Sequence, residues 1–191
     1  MRKAFIERKT NETQITAALT LDGKGEYSIN TGIGFFDHML SLFARHGSFN
    51  LDLSCKGDLQ VDNHHTVEDV GIVLGQAFRQ ALSDMRGIAR YADKTVPMDE
   101  ALAFACADIS GRPYLVYETG GEMGDEMQLY EEFWRAFAVH AGITLHIKVL
   151  YGKNAHHMIE AVFKAAARTM REAVSIDPKV EGIPSTKGTL I

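Results

Sequence analysis

Alternating and helical patterns of apolar residues divide the first half of the chain into short elements. Apolar side chains stand at every second position over residues 13–21, which predicts a strand with one buried face. Residues 22–25, rich in glycine, predict a turn before a second strand at 27–29. Apolar residues spaced three and four apart predict a helix over 35–46 and, after a short strand, a longer helix over 64–84.

The second half of the chain repeats this order of elements. It predicts strands at 101–109, 114–118 and 144–151 and helices at 130–140 and 156–174. The segment NHHTVEDVGIVLGQAFRQAL, from Asn63, runs in parallel with AHHMIEAVFKAAARTMREAV, from Ala155. Because the same motif stands at the same point of both segments, we interpret the chain as a duplication. The predicted fold is α+β, with two small sheets, helices packed on one face, and halves 1–92 and 93–191 related by a pseudo-twofold within one compact unit.

Composition and charge narrow the classes of partner. The 191 residues are 46% hydrophobic and 24% charged, which is typical of a globular protein. A net charge of −5 without a Lys/Arg run argues against binding to nucleic acid or to anionic membranes. No apolar run is long enough to span a bilayer or to serve as a signal peptide. Cys55 and Cys106 lack metal-ligand or redox spacing, so we expect them to be reduced and the chain to be cytoplasmic.

Both predicted long helices begin with the motif His-His-x-x-Glu. Residues at i and i+4 share one face of a helix, so His64 and Glu68 can bind one ion while His65 points elsewhere and can serve another. The second copy of the motif repeats this geometry with His156, His157 and Glu160. Imidazole and carboxylate ligands favour Mn²⁺ or Fe²⁺ over structural Zn²⁺. The sequence therefore predicts two metal sites that share residues from both halves.

Further candidate ligands come from the segments that precede the long helices. FFDHMLSLFARHG aligns with LYEEFWRAFAVHA without a gap, which sets His38 opposite Glu132. Both side chains can bind a divalent ion, although a buried histidine and a solvated carboxylate are the structural alternatives. Arg90, Arg112 and the Pro-Ser-Thr-Lys-Gly tail at 184–188 offer cationic, hydroxyl and backbone donors to an anion such as phosphate.

These motifs resemble one known family. TGIGFFDHML, DNHHTVED, SGRPY, LYGKNAHHMIEAVFKA and IPSTKG are similar to signature segments of the imidazoleglycerol-phosphate dehydratase family, in the same order. The resemblance covers about residues 8–188. It implies dehydration of imidazoleglycerol phosphate to imidazole acetol phosphate in histidine biosynthesis. It also implies two Mn²⁺ ions per active site and a homo-oligomer of 24 subunits with its sites at subunit interfaces.

The resemblance also implies roles for individual residues. The implied metal ligands are His38, His64, His65, Glu68, His156, His157 and Glu160, and the implied phosphate and substrate contacts are Arg90, Arg112, Lys164, Ser185, Thr186 and Lys187. Glu12 matches a family glutamate at the substrate and is an acid–base candidate. Many members carry histidine where this chain has Glu132, and the repeat alignment with His38 supports Glu132 as a ligand here.

The expected chemistry starts from a C–H bond that no neighbouring carbonyl activates. Two ions on the imidazole nitrogens would hold a metal-bound imidazolate, whose electrons expel the side-chain hydroxyl. Glu12, Glu68 or Glu160 would move the protons, and the enol product would become a ketone. Two other functions remain open at this point. One is a dinuclear hydrolase, which would release phosphate from the substrate. The other is a non-catalytic assembly held together by metal ions, which would dissociate when a chelator removes the ions and would have no activity to lose.

Overall fold

A computed structural model of the chain describes residues 1–120 and 124–190. These residues form eight strands and four helices. In chain order they are β1 (Lys3–Lys9), β2 (Thr13–Thr20), β3 (Tyr27–Asn30), α1 (Gly34–Gly47), β4 (Asn50–Gly57), α2 (His64–Leu82), β5 (Tyr91–Met98), β6 (Ala101–Asp108), β7 (Tyr114–Glu118), α3 (Gly124–Ala141), β8 (Thr144–Tyr151) and α4 (Ala155–Ala173). No helix within the described ranges is both long and apolar enough to cross a membrane.

The two halves form sheets of the same topology. The first has strand order β1-β2-β4-β3 and the second β5-β6-β8-β7. In each sheet three strands pair antiparallel and the last joins its neighbour in parallel. The predicted duplicated α+β fold is therefore confirmed. The turn at 22–25 does not join a hairpin, because β3 leaves β2 and pairs with β4 instead.

The outer strands β1 and β5 were not predicted from the sequence. Each has one fully buried side chain, Ala4 in β1 and Ala92 in β5, and each turns a cation inward, Arg8 in β1 and Lys94 in β5. A small residue and a cation on the inward face remove the apolar alternation that marks a strand. Both strands are edge strands, where such polar insertions are common.

The helices pair across the two halves, and this pairing positions the motifs. Helix α2 packs most extensively on α3, and α1 packs on α4. Aromatic rings of both halves fill the layer between them, with Phe43 in edge contact with Trp134 and Phe137, and Phe78 in edge contact with Phe137. As a result, each long helix that begins with His-His-x-x-Glu lies beside a helix from the other half.

Candidate active site

Helices α1 and α4 bring two histidines and a glutamate together. One ligand atom each from His38, His156 and Glu160 lie within 4.8 Å of one another. Glu160 Oε2 is 3.1 Å from Nε2 of His156 and 3.5 Å from Nε2 of His38. The imidazoles are half exposed while the carboxylate is buried. This first cluster has the ligand types and spacing that a divalent ion requires.

Lys164 controls the charge of the first cluster. Its Nζ lies 2.6 Å from Oε1 of Glu160, one helical turn along α4. Burial raises the pKa of Glu160, but the hydrogen bond and charge of Lys164, followed by the hydrogen bond from His156, outweigh it and hold the pKa below its usual value. Glu160 is therefore ionised, with Oε2 directed to the histidines.

The second cluster lies between α2 and α3 and is more open. His64 Nε2 is 3.5 Å from Oε2 of Glu68. Glu132 faces this helix start across a pocket of about 280 Å³, which is lined by Asp62, Asn63, His64, Gln128, Leu129 and Glu132. Glu132 also pairs with Arg135, with Nε 3.3 Å from Oε2. Glu132 is the counterpart of His38 by the duplication, but within the described part of the chain three convergent ligands are found only in the first cluster.

The second histidine of each motif points away from its own cluster, as helix geometry predicts. Nδ1 of His65 is 3.0 and 3.2 Å from the two carboxylate oxygens of Asp58, and Nδ1 of His157 is 2.6 Å from Glu100. These hydrogen bonds raise the pKa of each histidine. Glu12 approaches the other ring nitrogen of His65, with Oε1 3.8 Å from Nε2.

The predicted phosphate-binding arginines lie at the far end of the second sheet. Arg90 is buried, adopts a φ of 74°, and donates to Asp108 from Nε at 2.8 Å and from Nη2 at 3.3 Å. Its Nη1 donates to the carbonyl of Pro184 at 2.6 Å. Arg112 is exposed and lies 3.6 Å from the same Asp108. Asp108 therefore holds both arginines, and Arg90 ties the tail to the sheet.

The tail follows Pro184 at this same end. The backbone N–H of Lys187 donates to Oγ of Ser185 at 3.2 Å, and the N–H of Gly188 donates to the Ser185 carbonyl at 3.1 Å. Thr186 and Lys187 are exposed. The turn presents a hydroxyl and an ammonium group to solvent beside Arg90.

The first cluster and the predicted phosphate-binding residues thus lie at opposite ends of α4. The backbone N–H of Arg90 donates to the carbonyl of Ala173 at the end of the helix, whereas His156 stands at its start. At 1.5 Å per residue the two points are about 25 Å apart. Lys164 lies between them and is bonded to Glu160. One chain does not place its metal ligands and its arginines around one small molecule.

Three carboxylates that were not predicted from the sequence form hydrogen bonds with predicted site residues. Asp58 and Glu100 bond the diverging histidines, and Asp108 bonds the arginines. Glu100 is 57 residues from the histidine that it contacts. Asp58 is seven residues from its partner His65 but lies before the helix begins, so helical spacing identifies neither of these two carboxylates.

Comparisons with known proteins identify the family. A family model described as imidazoleglycerol-phosphate dehydratase matches residues 31–170. The chain is 61% identical over 191 residues to imidazoleglycerol-phosphate dehydratase from Clostridium botulinum, covering 98% of this chain and 97% of that protein. It is 59% identical over 193 residues to that of Pelobacter propionicus, covering 99% of both.

Two solved structures share the fold. The imidazoleglycerol-phosphate dehydratase of Staphylococcus aureus superposes with a TM-score of 0.81 at 37% identity, covering 92% of this chain and 99% of that one. The enzyme of Pyrococcus furiosus gives 0.82 at 34% identity, covering 96% and 99%. With relatives this similar over nearly the full length, and with a fold and doubled histidine motifs that agree, the chain belongs to the imidazoleglycerol-phosphate dehydratase family.

Proposed function

We propose that this chain removes water from imidazoleglycerol phosphate to give imidazole acetol phosphate, and that it uses two Mn²⁺ ions per active site. Membership of a hydro-lyase family of histidine biosynthesis supports the reaction. The observation that carries the metal proposal is the convergence of His38, His156 and Glu160 within 4.8 Å. The pair of His64 and Glu68, with Glu132 lining the pocket beside His64, offers the same ligand types at the counterpart positions.

The donor atoms of these clusters fit Mn²⁺. Both clusters mix imidazole nitrogen with carboxylate oxygen, a set that suits divalent ions of borderline hardness, whereas thiolates are absent from the residues described around them. Bound ions would act as Lewis acids toward the imidazole nitrogens of the substrate and stabilise the imidazolate form of the ring. His65 and His157, with Nε2 directed out of their own clusters, would serve ions shared with other copies of the chain.

The chain itself would have to move two protons. One leaves the second side-chain carbon from the ring, and another joins the hydroxyl that departs from the carbon next to the ring, so that it leaves as water. Glu12 is half exposed and lies 3.8 Å from a predicted ligand, which suits an acid–base group beside the ions. Glu160 is held ionised by Lys164, which suits a ligand or a proton acceptor. The resulting enol would then become the ketone. Glu68 is the counterpart of Glu160 in the second cluster.

The phosphate would bind at the other end of the chain. Arg112 has a largely exposed guanidinium group, and Ser185, Thr186 and Lys187 add hydroxyl and ammonium donors beside it. Arg90 has its donors directed at Asp108 and Pro184, so its main contribution would be to fix the tail near the phosphate. Lys164 is the one predicted contact located at the metal cluster instead.

The separation of these groups supports an oligomer. An imidazole ring with a three-carbon phosphorylated side chain cannot reach across about 25 Å of helix. The phosphate end of one copy would therefore serve the metal end of another, in agreement with a homo-oligomer of 24 subunits whose sites lie at subunit interfaces. Both cysteines are free, which fits the reducing conditions of a cytoplasmic location.

The proposal is tested by turnover of imidazoleglycerol phosphate by chelator-stripped protein, with and without added Mn²⁺, while the ketone product and free phosphate are followed together. We expect Mn²⁺-dependent ketone formation without free phosphate. Release of phosphate would favour the dinuclear hydrolase. Protein that binds two ions per chain and forms no ketone would favour the non-catalytic assembly held together by metal ions, and full turnover without any ion would exclude the metal mechanism.

A further inference from the structure

The duplication gives the chain two matching glutamates that contact their histidines differently. Glu12 directly precedes β2 and Glu100 directly precedes β6, so the two residues are counterparts. Glu100 bonds Nδ1 of His157 at 2.6 Å, whereas Glu12 lies 3.8 Å from Nε2 of His65. In the first half, Nδ1 is occupied by Asp58 instead. A carboxylate therefore contacts the same ring nitrogen in both halves but comes from different segments.

The second half has a lysine at the position of Asp58. Gly57 and Gly152 are counterparts, because a Cβ on either would clash with the residue that follows its histidine pair, Thr66 or Met158. Lys153 therefore stands where Asp58 does in the first half. An ammonium group cannot accept a hydrogen bond from a histidine, and the turn between β5 and β6 supplies Glu100 instead.

Glu100 is firmly held in its place. Its Oε1 accepts hydrogen bonds from the backbone N–H of Asn154 at 2.8 Å and of Lys153 at 3.2 Å, while Oε2 faces His157. The three hydrogen bonds fix the carboxylate as an acceptor that joins the β5–β6 turn to the start of α4.

A carboxylate on Nδ1 determines what the other ring nitrogen can do. It keeps the proton on Nδ1, fixes the plane of the ring, and leaves the lone pair of Nε2 for a metal ion. We propose that Asp58 and Glu100 are positioning residues for metal binding by His65 and His157, and that Glu12 alone of the two matching glutamates is left to act on substrate. This inference rests on the proposed use of Mn²⁺.

The direct test is the affinity of the chelator-stripped protein for Mn²⁺, measured by calorimetric titration. We expect Asp58→Asn and Glu100→Gln each to weaken binding about 10- to 100-fold, the effect typical of losing such a partner. Glu118→Gln is the matched control, because it removes a surface carboxylate that pairs only with Lys148 among its described contacts. The affinity of Glu118→Gln for Mn²⁺ should equal that of the parent protein. Thermal unfolding of each metal-free variant checks that the fold is intact.

A second readout separates positioning from catalysis. Turnover of Asp58→Asn and Glu100→Gln should fall at limiting Mn²⁺ and return close to the parent kcat at saturating Mn²⁺. Glu12→Gln should bind Mn²⁺ like the parent and stay slow at every concentration; full turnover by this variant would refute the role of Glu12.

The possible failures are distinguishable. Parent-like Mn²⁺ affinity in the Asp58 and Glu100 variants, or a loss of kcat in Glu100→Gln that Mn²⁺ does not restore, would overturn the inference and leave the proposed function standing. A parent protein that binds no Mn²⁺ would overturn both.

Discussion

Glu132 is the residue whose identity bears most directly on the second cluster. It lines the pocket beside His64, at the position that the duplication matches to His38. Either a carboxylate or an imidazole can bind Mn²⁺ there. We expect Glu132→His to keep the metal content of the parent and Glu132→Ala to lose roughly half of it, since one of two clusters loses a ligand.

Metal content after gel filtration, measured by elemental analysis, checks this prediction. Glu131→Ala is the matched control. Glu131 also pairs with Arg135, at 2.6 Å, but it does not line the pocket. Full metal content in Glu132→Ala would show that the cluster does not depend on this carboxylate.

His46 makes the free energy of unfolding depend on pH. Burial, followed by the charges of Lys164 and Arg168, lowers the pKa of His46 below its ordinary value of about 6.5. The unfolded chain then binds more protons than the folded chain between the folded pKa and 6.5. The contribution of His46 to the free energy of unfolding is therefore fully present above pH ~6.5, and it declines as the pH falls below that value.

We expect His46→Gln to flatten this decline. The measurement is the free energy of unfolding of metal-free protein from pH 7.5 to 5, taken as the difference between variant and parent. The difference matters because the pKa values of His65 and His157 are raised, and these residues contribute the opposite slope. Two parallel profiles would contradict the assignment.

At the scale of elements, two glycines allow α2 to lie against α3. A Cβ on Gly71 would stand 2.6 Å from the carbonyl oxygen of Phe133, and one on Gly75 would stand 2.6 Å from that of Phe137. These neighbours are backbone atoms, so the helices would have to move apart. Overpacking of this kind costs about 1–3 kcal/mol, partly offset by the ~1 kcal/mol that alanine gains over glycine in a helix.

We therefore expect Gly71→Ala and Gly75→Ala to lower the free energy of unfolding, measured with denaturant in metal-free protein. Gly34→Ala, also in a helix, is the control, since nothing lies within 4 Å of its added Cβ. That variant should be neutral or slightly stabilising. Unchanged stability of all three variants would mean that the packing of α2 on α3 adjusts to an added methyl group without a loss of free energy.

The elements also show how far the sequence could be used to predict the structure. The helical period located α2 and α4 and the pairing of His64 with Glu68, because that contact is made within one helix. The contact of His38 with Glu160 spans 122 positions and depends on α1 packing against α4, which no local pattern encodes. The same holds for Glu100 and His157. The duplication was the one long-range signal, and it correctly matched the two sheets.

At the scale of the whole molecule, the distance between the metal end and the phosphate end makes subunits depend on one another. A chain with His156→Ala lacks part of a metal cluster, and a chain with Arg112→Ala lacks a phosphate contact, so each should be inactive alone. If one copy supplies the metals and another the phosphate contacts, particles reassembled from both variants contain some sites with neither defect. Random assortment of the two chains would restore at most about a quarter of the parent activity.

The measurement is turnover after the two metal-free variants are mixed at equal amounts, reassembled with Mn²⁺ and compared with each variant treated alone. We expect activity only in the mixture, because a site with both ends intact arises only where two different chains meet. The double variant mixed with either single variant serves as the control, since every site in that mixture lacks at least one end. A mixture as inactive as its components would mean that one chain closes its own site, which would require α4 and the tail to rearrange over about 25 Å.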